Sequence, residues 1–491
     1  MSVVAGSEPG LGLRPYEDVA ALRRGLDGIA TLHDDGVAIS DEAGFRGEAI
    51  DRVVASAVFG DDALKTTARW LIRVAAPQLG AFPASIHDLY LAAGRGEYAN
   101  ATAPAINVRG LTYDVARTIF RAAQATDTKI VLFEIARSEM GYTEQRPAEY
   151  AAAVLAAAIK QHHRGPVFIQ GDHFQASAGA YAKNPEAEIK AVRDLAQEAI
   201  AAGFYNIDVD ASTLVDLSLP TQAEQQRRNY AHSAELTAAI RSFEPDGVTV
   251  SVGGEIGEVG KDNSTVADLH GFMDGYLPEL KRLGDETGRT LTGISKISVQ
   301  TGTSHGGVVL PDGSMADVSV DFGTLAELSR AAREDYQLGG AVQHGASTLP
   351  ESAFGRFAEA NAIEVHLATA FQNTMLDSAA FPADLKERIY AHLDANHGDE
   401  RKSDQTDAQF YYTARKRAFG PFKRELWNLP EETRSAIMAD LEPVFALIMR
   451  NLGVAGSAAL VDRIVRPVDV PVPSPAQAGA LVHSELTGEG E

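Results

Sequence analysis

Cysteine is absent from this chain. That excludes disulfides, thiolate nucleophiles and thiolate metal sites, so any transition metal must be held by histidine and carboxylates. Long apolar runs are missing as well. No stretch approaches the ~18 uninterrupted apolar residues of a transmembrane helix. Residues 1–14 have neither the basic start nor the apolar core of a signal peptide. Positive charge is scarce too: 44 Lys and Arg face 67 Asp and Glu, for a net charge of −23. Such a surface repels nucleic acid and anionic membrane, so neither is expected as a partner. A phosphorylated metabolite is still allowed, because one cationic pocket or a metal overrides the global sign locally. The expectation is a soluble, cytoplasmic protein.

What is present is enough chain for a large core. The 491 residues, 45% hydrophobic and 23% charged, have ordinary globular composition and allow one large domain with extensions, or two domains. From Tyr16 to about residue 96 the pattern is helical. Val19, Leu22 and Leu26 recur at near-helical spacing, as do Ile50, Val53, Val54 and Val58, and then Trp70, Leu71, Val74 and Ala75. Residues 1–100 therefore read as a helical N-terminal extension, a cover or oligomer contact in which Trp70 and Tyr90 are packing residues.

Eight β-rich runs follow, at 105–108, 129–135, 166–172, 206–212, 248–257, 294–302, 340–347 and 363–369, with helical patterns between them. Strands alternating with helices imply a parallel sheet with right-handed crossovers. Eight units over about 270 residues fit an α/β fold of the (β/α)8 TIM-barrel type, typically ~250 residues, better than an open doubly wound sheet. The barrel is expected over 101–380, followed by a helical C-terminal region over 381–465. From Arg466 the prolines of Pro-Val-Asp-Val-Pro-Val-Pro-Ser-Pro permit neither helix nor central strand. Residues 466–491 are thus expected to be a disordered tail.

The chemistry collects at the ends of these runs. They offer Asn107, Glu134, Asp172 with His173, Asp208 and Asp210, Glu255, His305 in Gly-Thr-Ser-His-Gly-Gly, His344 with Gly345 and Ser347, and finally His366 and Thr369. A barrel brings all of these to one mouth. His173, His305 and His344 each follow a strand and border glycine, and three imidazoles with an open position are a common catalytic Zn2+ arrangement. His162 and His163 read as solvated, and His366 admits either reading. Gly306, Gly307 and Gly345 allow backbone N–H groups to approach an anion, with Ser347 and Thr348 as hydroxyl donors, which suits a phosphate. Asp172, next to a ligand, stands where a general base for a substrate hydroxyl must be. It serves equally as an acceptor orienting a neighbouring ligand.

In order along the chain stand Gly-Asp-His at 171–173, Val-Ser-Val-Gly-Gly-Glu-Ile-Gly at 250–257, Gly-Thr-Ser-His-Gly at 302–306 and His-Gly-Ala-Ser at 344–347. This ordered set resembles the class II, zinc-dependent ketose-bisphosphate aldolases, over about residues 103–375. The resemblance implies that His173, His305 and His344 bind catalytic zinc and that Asp172 exchanges the C4 hydroxyl proton. It implies a metal contact from Glu255, and phosphate binding by the glycine-rich loops, often with a monovalent cation (Na+ or K+). The implied reaction is reversible cleavage of a small phosphorylated sugar, foremost fructose 1,6-bisphosphate, by a homo-oligomer of two or more subunits.

Three departures bear on that reading, of which the helical N-terminal extension over residues 1–100 is one. The family's eighth strand usually reads Lys-x-Asn-x-Asp-Thr, but here it is Glu364-Val365-His366-Leu367-Ala368-Thr369. Where the family's fifth loop carries Gly-Gly-x-Glu-Asp, this chain has Gly260-Lys261-Asp262-Asn263, which makes Asp262 or Glu258 the candidate second proton carrier. Asn107 and Thr369 remain as substrate contacts. Lys416, Arg417, Lys423 and Arg424 are the cations available for a second phosphate. Asp-Ala-Ser at 210–212 and the Tyr-rich C-terminal region also resemble the non-catalytic partner subunit of tagatose-bisphosphate aldolase, a reading that retention of all three histidines disfavours.

Overall fold

Apolar residues flanking a single polar one, as in Leu132-Phe133-Glu134-Ile135 or Ile207-Asp208-Val209, suit strands whose two faces are both covered. The computed structural model describes residues 13–256, 262–302, 320–347 and 349–477. Three short strands come first: β1 (Ala30–Leu32), β2 (Val37–Ile39) and β3 (Ala81–Pro83). The barrel strands are β4 (Ala103–Asn107), β5 (Leu132–Ala136), β6 (Gly165–Gln175), β7 (Asn206–Asp210), β8 (Ser251–Glu255), β9 (Lys296–Val299), β10 (Ala341–Gln343) and β11 (Glu364–Leu367). They pair in parallel in the order β6-β5-β4-β11-β10-β9-β8-β7, and β7 returns to β6 to close the cylinder. Every residue of β4, β5, β7, β9, β10 and β11 is buried. The eight predicted runs all hold a barrel strand, so the (β/α)8 architecture expected from the alternation is the one found.

Local chemistry sets the helices that follow each strand. In Pro185–Ala202 the Asn184 side chain accepts from the Ala187 N–H, Pro185 opens the first turn, and Gly203 ends the helix at φ 100°. Its apolar face, Ile189, Val192, Leu195, Ala196, Ala199 and Ile200, is buried. Removing the Asn184 cap would cost about 1 kcal/mol. Helix Pro147–Lys160 is Ala-rich and buried almost all round, because it is packed by Thr112–Ala125 on one side and by Ile50–Phe59 and Asp62–Gln78 of the N-terminal region on another.

The N-terminal region differs from its purely helical expectation. Besides helices it holds the β1–β2 hairpin and β3, each strand only three residues long, too short for a period-2 pattern to show. β3 pairs with the first residues of β6, Ala81 opposite Gly165 through Pro83 opposite Val167. There β6 has a free edge, because its register with β7 begins only at Gln170 opposite Asn206.

Beyond the barrel, helix Glu431–Asn451 lies against Thr112–Ala125 and Thr369–Asp377. The buried Arg434–Asp114 pair, 2.7 Å, holds it there. From 466 to 477, where the description ends, the chain forms neither helix nor strand and most residues are exposed. Val470 and Val472 lie on the core and Ser474 is buried. The prolines forbid a helix here, as the sequence implies, and leave the chain extended. No helix among the described residues is long and apolar enough to cross a membrane.

Candidate active site

In a regular strand adjacent residues point to opposite faces, so Asp172 and His173 could not both face the mouth from one. β6 escapes this with a bulge. Gly171 pairs with Ile207 but Phe174 with Val209, so one extra residue is accommodated on β6. His173 takes the left-handed conformation, φ 38°, a strain of ~1–3 kcal/mol for a non-glycine residue. The Phe174 ring lies over Gly171, where a Cβ would overlap it, so glycine is needed at the first position of the triplet.

The bulge carries His173 to His344 at the end of β10, with ring centroids 4.3 Å apart. Donor atoms of Asp172, His173 and His344 lie within 4.8 Å of one another. His173 Nδ1 is 3.2 Å from Asp210 Oδ2 and 3.4 Å from Glu255 Oε2. Asp210 is itself fixed by the Ser212 N–H at 2.9 Å and Gln175 Nε2 at 2.7 Å. Burial works to raise the Asp210 carboxyl, but the hydrogen bond and charge of His173 outweigh it and hold the pKa below the usual range. A carboxylate on Nδ1 leaves Nε2 as the ligand atom, the usual outer support of a metal-bound imidazole. His344 Nε2 lies 3.0 Å from Ser298 Oγ. Two imidazoles with a carboxylate between them suit a Zn2+ ion. The third expected ligand, His305, is outside the described residues, as are Gly306, Gly307, Thr348 and Glu258.

Deeper in the barrel lies a layer the sequence reading did not assemble. Lys296 Nζ is 2.8 Å from Gln170 Oε1, 2.9 Å from Asp208 Oδ2 and 2.5 Å from Glu364 Oε1. Gln170 Nε2 also donates to Glu134 and Glu364, and the Tyr90 hydroxyl donates to Glu364. Gly253 leaves room for this ammonium, since a Cβ there would overlap Asp208 and crowd Lys296. One signal was available: a lone polar residue between non-polar neighbours recurs in four strands, at Glu134, Gln170, Asp208 and Glu364, while Lys296 follows Ser295.

His366 joins the two layers. Its ring stacks on His344 at 4.1 Å, and its Nδ1 is 3.0 Å from Asp172 Oδ1 and 3.1 Å from Glu134 Oε2. Burial alone would lower its pKa, but Glu134 and Asp172 outweigh burial and raise it well above the ordinary value. Asp172 moves the other way: burial acts to raise it, and His173, His366 and Lys296 hold it below the usual carboxylate range. Burial, then repulsion from Asp172, raises Glu134 to about 8.

Asp172, His173, His344, His366 and Glu134 wall a cavity of about 160 Å³ at the mouth. Of the predicted residues, Asn107, Asp172, His173, His344, Gly345, Ser347 and Thr369 line it. Glu255 reaches His173 from outside that lining, while Asp262 is exposed and does not line it. The reading missed Arg109, Glu139, Gln372, Tyr412 and Thr413, which complete the wall. Glu139 accepts from Asn107 Nδ2 at 2.5 Å, Arg109 Nε at 2.6 Å and the Ala136 N–H at 2.8 Å. The C-terminal cations separate clearly. Lys416 lines the cavity, whereas Lys423 is bound to Glu144 and Glu149. Arg424 lies over Phe59, and Arg417 over Tyr142 near Glu400.

A family model described as fructose-bisphosphate aldolase class-II matches residues 84–419. Comparison with curated proteins gives no match. Among solved structures, a probable tagatose 6 phosphate kinase from Sinorhizobium meliloti 1021 is similar at 16% identity over 74% of this chain and 93% of that one, TM-score 0.50. The fructose-bisphosphate aldolase of Campylobacter jejuni aligns at 17% identity over 77% and 97%, TM-score 0.45. A putative fructose-1,6-biphosphate aldolase from Coccidioides immitis aligns at 19% over 76% and 97%, TM-score 0.43. At such identities the likeness concerns the fold.

Proposed function

Since the chain belongs to the class-II fructose-bisphosphate aldolase family, we propose that it is a zinc-dependent aldolase. It reversibly cleaves a ketose 1,6-bisphosphate, foremost fructose 1,6-bisphosphate, to dihydroxyacetone phosphate and glyceraldehyde 3-phosphate. The observation that carries this reading is the meeting of Asp172, His173 and His344, from two strands remote in sequence, on one cavity wall. A divalent ion held by these imidazoles would supply Lewis-acid polarisation of the ketone.

The chain's own groups do the rest. Asp172, kept ionised by the cations around it, takes the C4 hydroxyl proton in cleavage and returns it in condensation. Asn107, Ser347 and Thr369 present amide and hydroxyl groups to substrate oxygens. Glu139 fixes both Asn107 and Arg109, so their positions are set before substrate arrives. Lys416 and Arg109 put positive charge on the cavity wall, where a second phosphate would be held. A non-catalytic partner subunit would have no use for a buried imidazole pair beside an ionised carboxylate.

An aldol-cleavage assay on fructose 1,6-bisphosphate, with and without a chelator, tests the reading. Cleavage is expected to vanish on metal removal and to return with Zn2+. Full activity of metal-free protein would refute the zinc requirement, and no cleavage by the loaded protein would refute the reaction.

A further inference from the structure

We propose that Tyr90, on helix His87–Gly94 of the N-terminal region, is a positioning residue for the reaction, acting through Glu364 and His366 on Asp172. Asp172 has its role from the aldolase reading, on which this inference rests.

Helix His87–Gly94 closes the barrel at the end opposite the mouth. Just before it, the Ile86 N–H donates to Asn206 Oδ1 at 2.8 Å, at the start of β7. Gly339, just before β10, lets the helix come close, since a Cβ there would overlap Tyr90. Tyr90 is fully buried at this end. An apolar ring would seal the barrel equally well, whereas a buried hydroxyl is costly unless it finds an acceptor. The acceptor of the Tyr90 hydroxyl is Glu364, itself fully buried.

From Glu364 the contacts run up the inside of the barrel. Glu364 and His366 stand two positions apart on β11, so they face the same side. Glu364 gives Oε2 to Tyr90 and turns Oε1 toward Lys296 at 2.5 Å, Gln170 at 2.8 Å and His366 Nε2 at 2.6 Å. The other ring nitrogen of His366 lies 3.0 Å from Asp172 Oδ1. With Oδ1 turned to this ring, Oδ2 is the oxygen left to meet a substrate hydroxyl in the cavity that Asp172 lines. Tyr90 thus fixes the plane of the Glu364 carboxylate, which sets the His366 ring, which sets Asp172. Removing the phenol oxygen strips Oε2 of its donor and loosens each later contact.

The test compares wild type, Tyr90→Phe, His366→Asn and the double variant as Zn2+-loaded full chains. Each is measured by fructose 1,6-bisphosphate cleavage and by 15N NMR of histidine-labelled protein, in which His366→Asn identifies the His366 ring signals. Tyr90→Phe should lower kcat by about 10–10²-fold, the effect of a small displacement of a reacting group, with KM unchanged. It should shift the His366 signals and leave those of His163, which is bonded to the Pro166 carbonyl. The double variant should lose no more than His366→Asn alone. Unmoved His366 signals, an unchanged kcat or additive losses would each overturn the proposal. So would a shift of the His163 signals alongside, which marks a general loosening of the fold. A wild type that cleaves no sugar bisphosphate would sink the aldolase reading by itself, and the NMR comparison would still decide whether Tyr90 positions His366.

Discussion

Lys296→Met tests the buried layer on which the site rests. The side chain is fully buried and its ammonium meets Asp208 at 2.9 Å and Glu364 at 2.5 Å. Burial acts against the charged amine, but these two carboxylates outweigh it and raise the pKa. Methionine has nearly the same volume, so what is lost is the charge and its hydrogen bonds. Breaking one partner out of a buried pair costs about 3–5 kcal/mol, and a lysine serving two acids belongs at the upper end. The loss should also depend on pH. Asp208, already pushed up to about 6 by burial with Lys296 opposing, rises further once that cation is gone, and Glu364 rises with it. The folded variant then binds protons that the unfolded chain releases above about pH 4. With fewer protons on the unfolded state, stability falls as pH rises, by up to about 1.4 kcal/mol per pH unit for each such group. Urea denaturation of wild type and variant from pH 5 to 8 should show a gap that is narrow at pH 5 and wide at pH 8. A variant as stable as wild type, or a gap independent of pH, would refute the reasoning. Borohydride trapping with dihydroxyacetone phosphate should leave Lys296 unlabelled, since an ammonium enclosed by two carboxylates is no Schiff-base nucleophile.

Three further outcomes are expected. Asp172→Asn should lower cleavage by about 10²–10⁴-fold while the ion on His173 and His344 stays bound; unchanged turnover would remove Asp172 from proton transfer. Lys416→Ala should raise KM for the bisphosphate by roughly 10–100-fold, the worth of one charge-assisted hydrogen bond. Condensation of dihydroxyacetone phosphate with an unphosphorylated aldehyde should be spared, and an equal rise for both would place the second phosphate elsewhere. The buried His163, tilted against Phe120 and bonded to the Pro166 carbonyl, is pushed down to about 4 by burial. Its contribution is full above the unfolded value near 6.5 and is lost as pH falls toward 4, up to about 3 kcal/mol. His163→Gln, which keeps an N–H donor, should flatten this acid limb of the stability curve, and an identical limb would count against the assignment.

Much of the site could be read before any coordinates. Want of cysteine narrowed metal ligands to histidine and carboxylate, and the strand–helix alternation placed Asp172, His173 and His344 at strand ends. Local pattern failed where function depends on closure. His163 looked solvated beside His162, yet it is buried, because what covers it comes from Phe120. Four C-terminal cations were indistinguishable by composition, and only packing put Lys416 at the cavity. Val470 and Val472 belong to a proline-rich tail that no periodicity marks as packed.

The residues themselves determined that this chain would fold as alternating strands and helices with imidazoles and acids at the strand ends, because periodicity and residue type act over a few positions. Tertiary structure alone decided that Asp172 and His173 share one face, since that needs the β6 bulge. It alone put the His366 ring 4.1 Å from His344 and buried Lys296 among acids from two other strands. Distances between groups far apart in the chain exist only once the cylinder has closed, and no local pattern carries them.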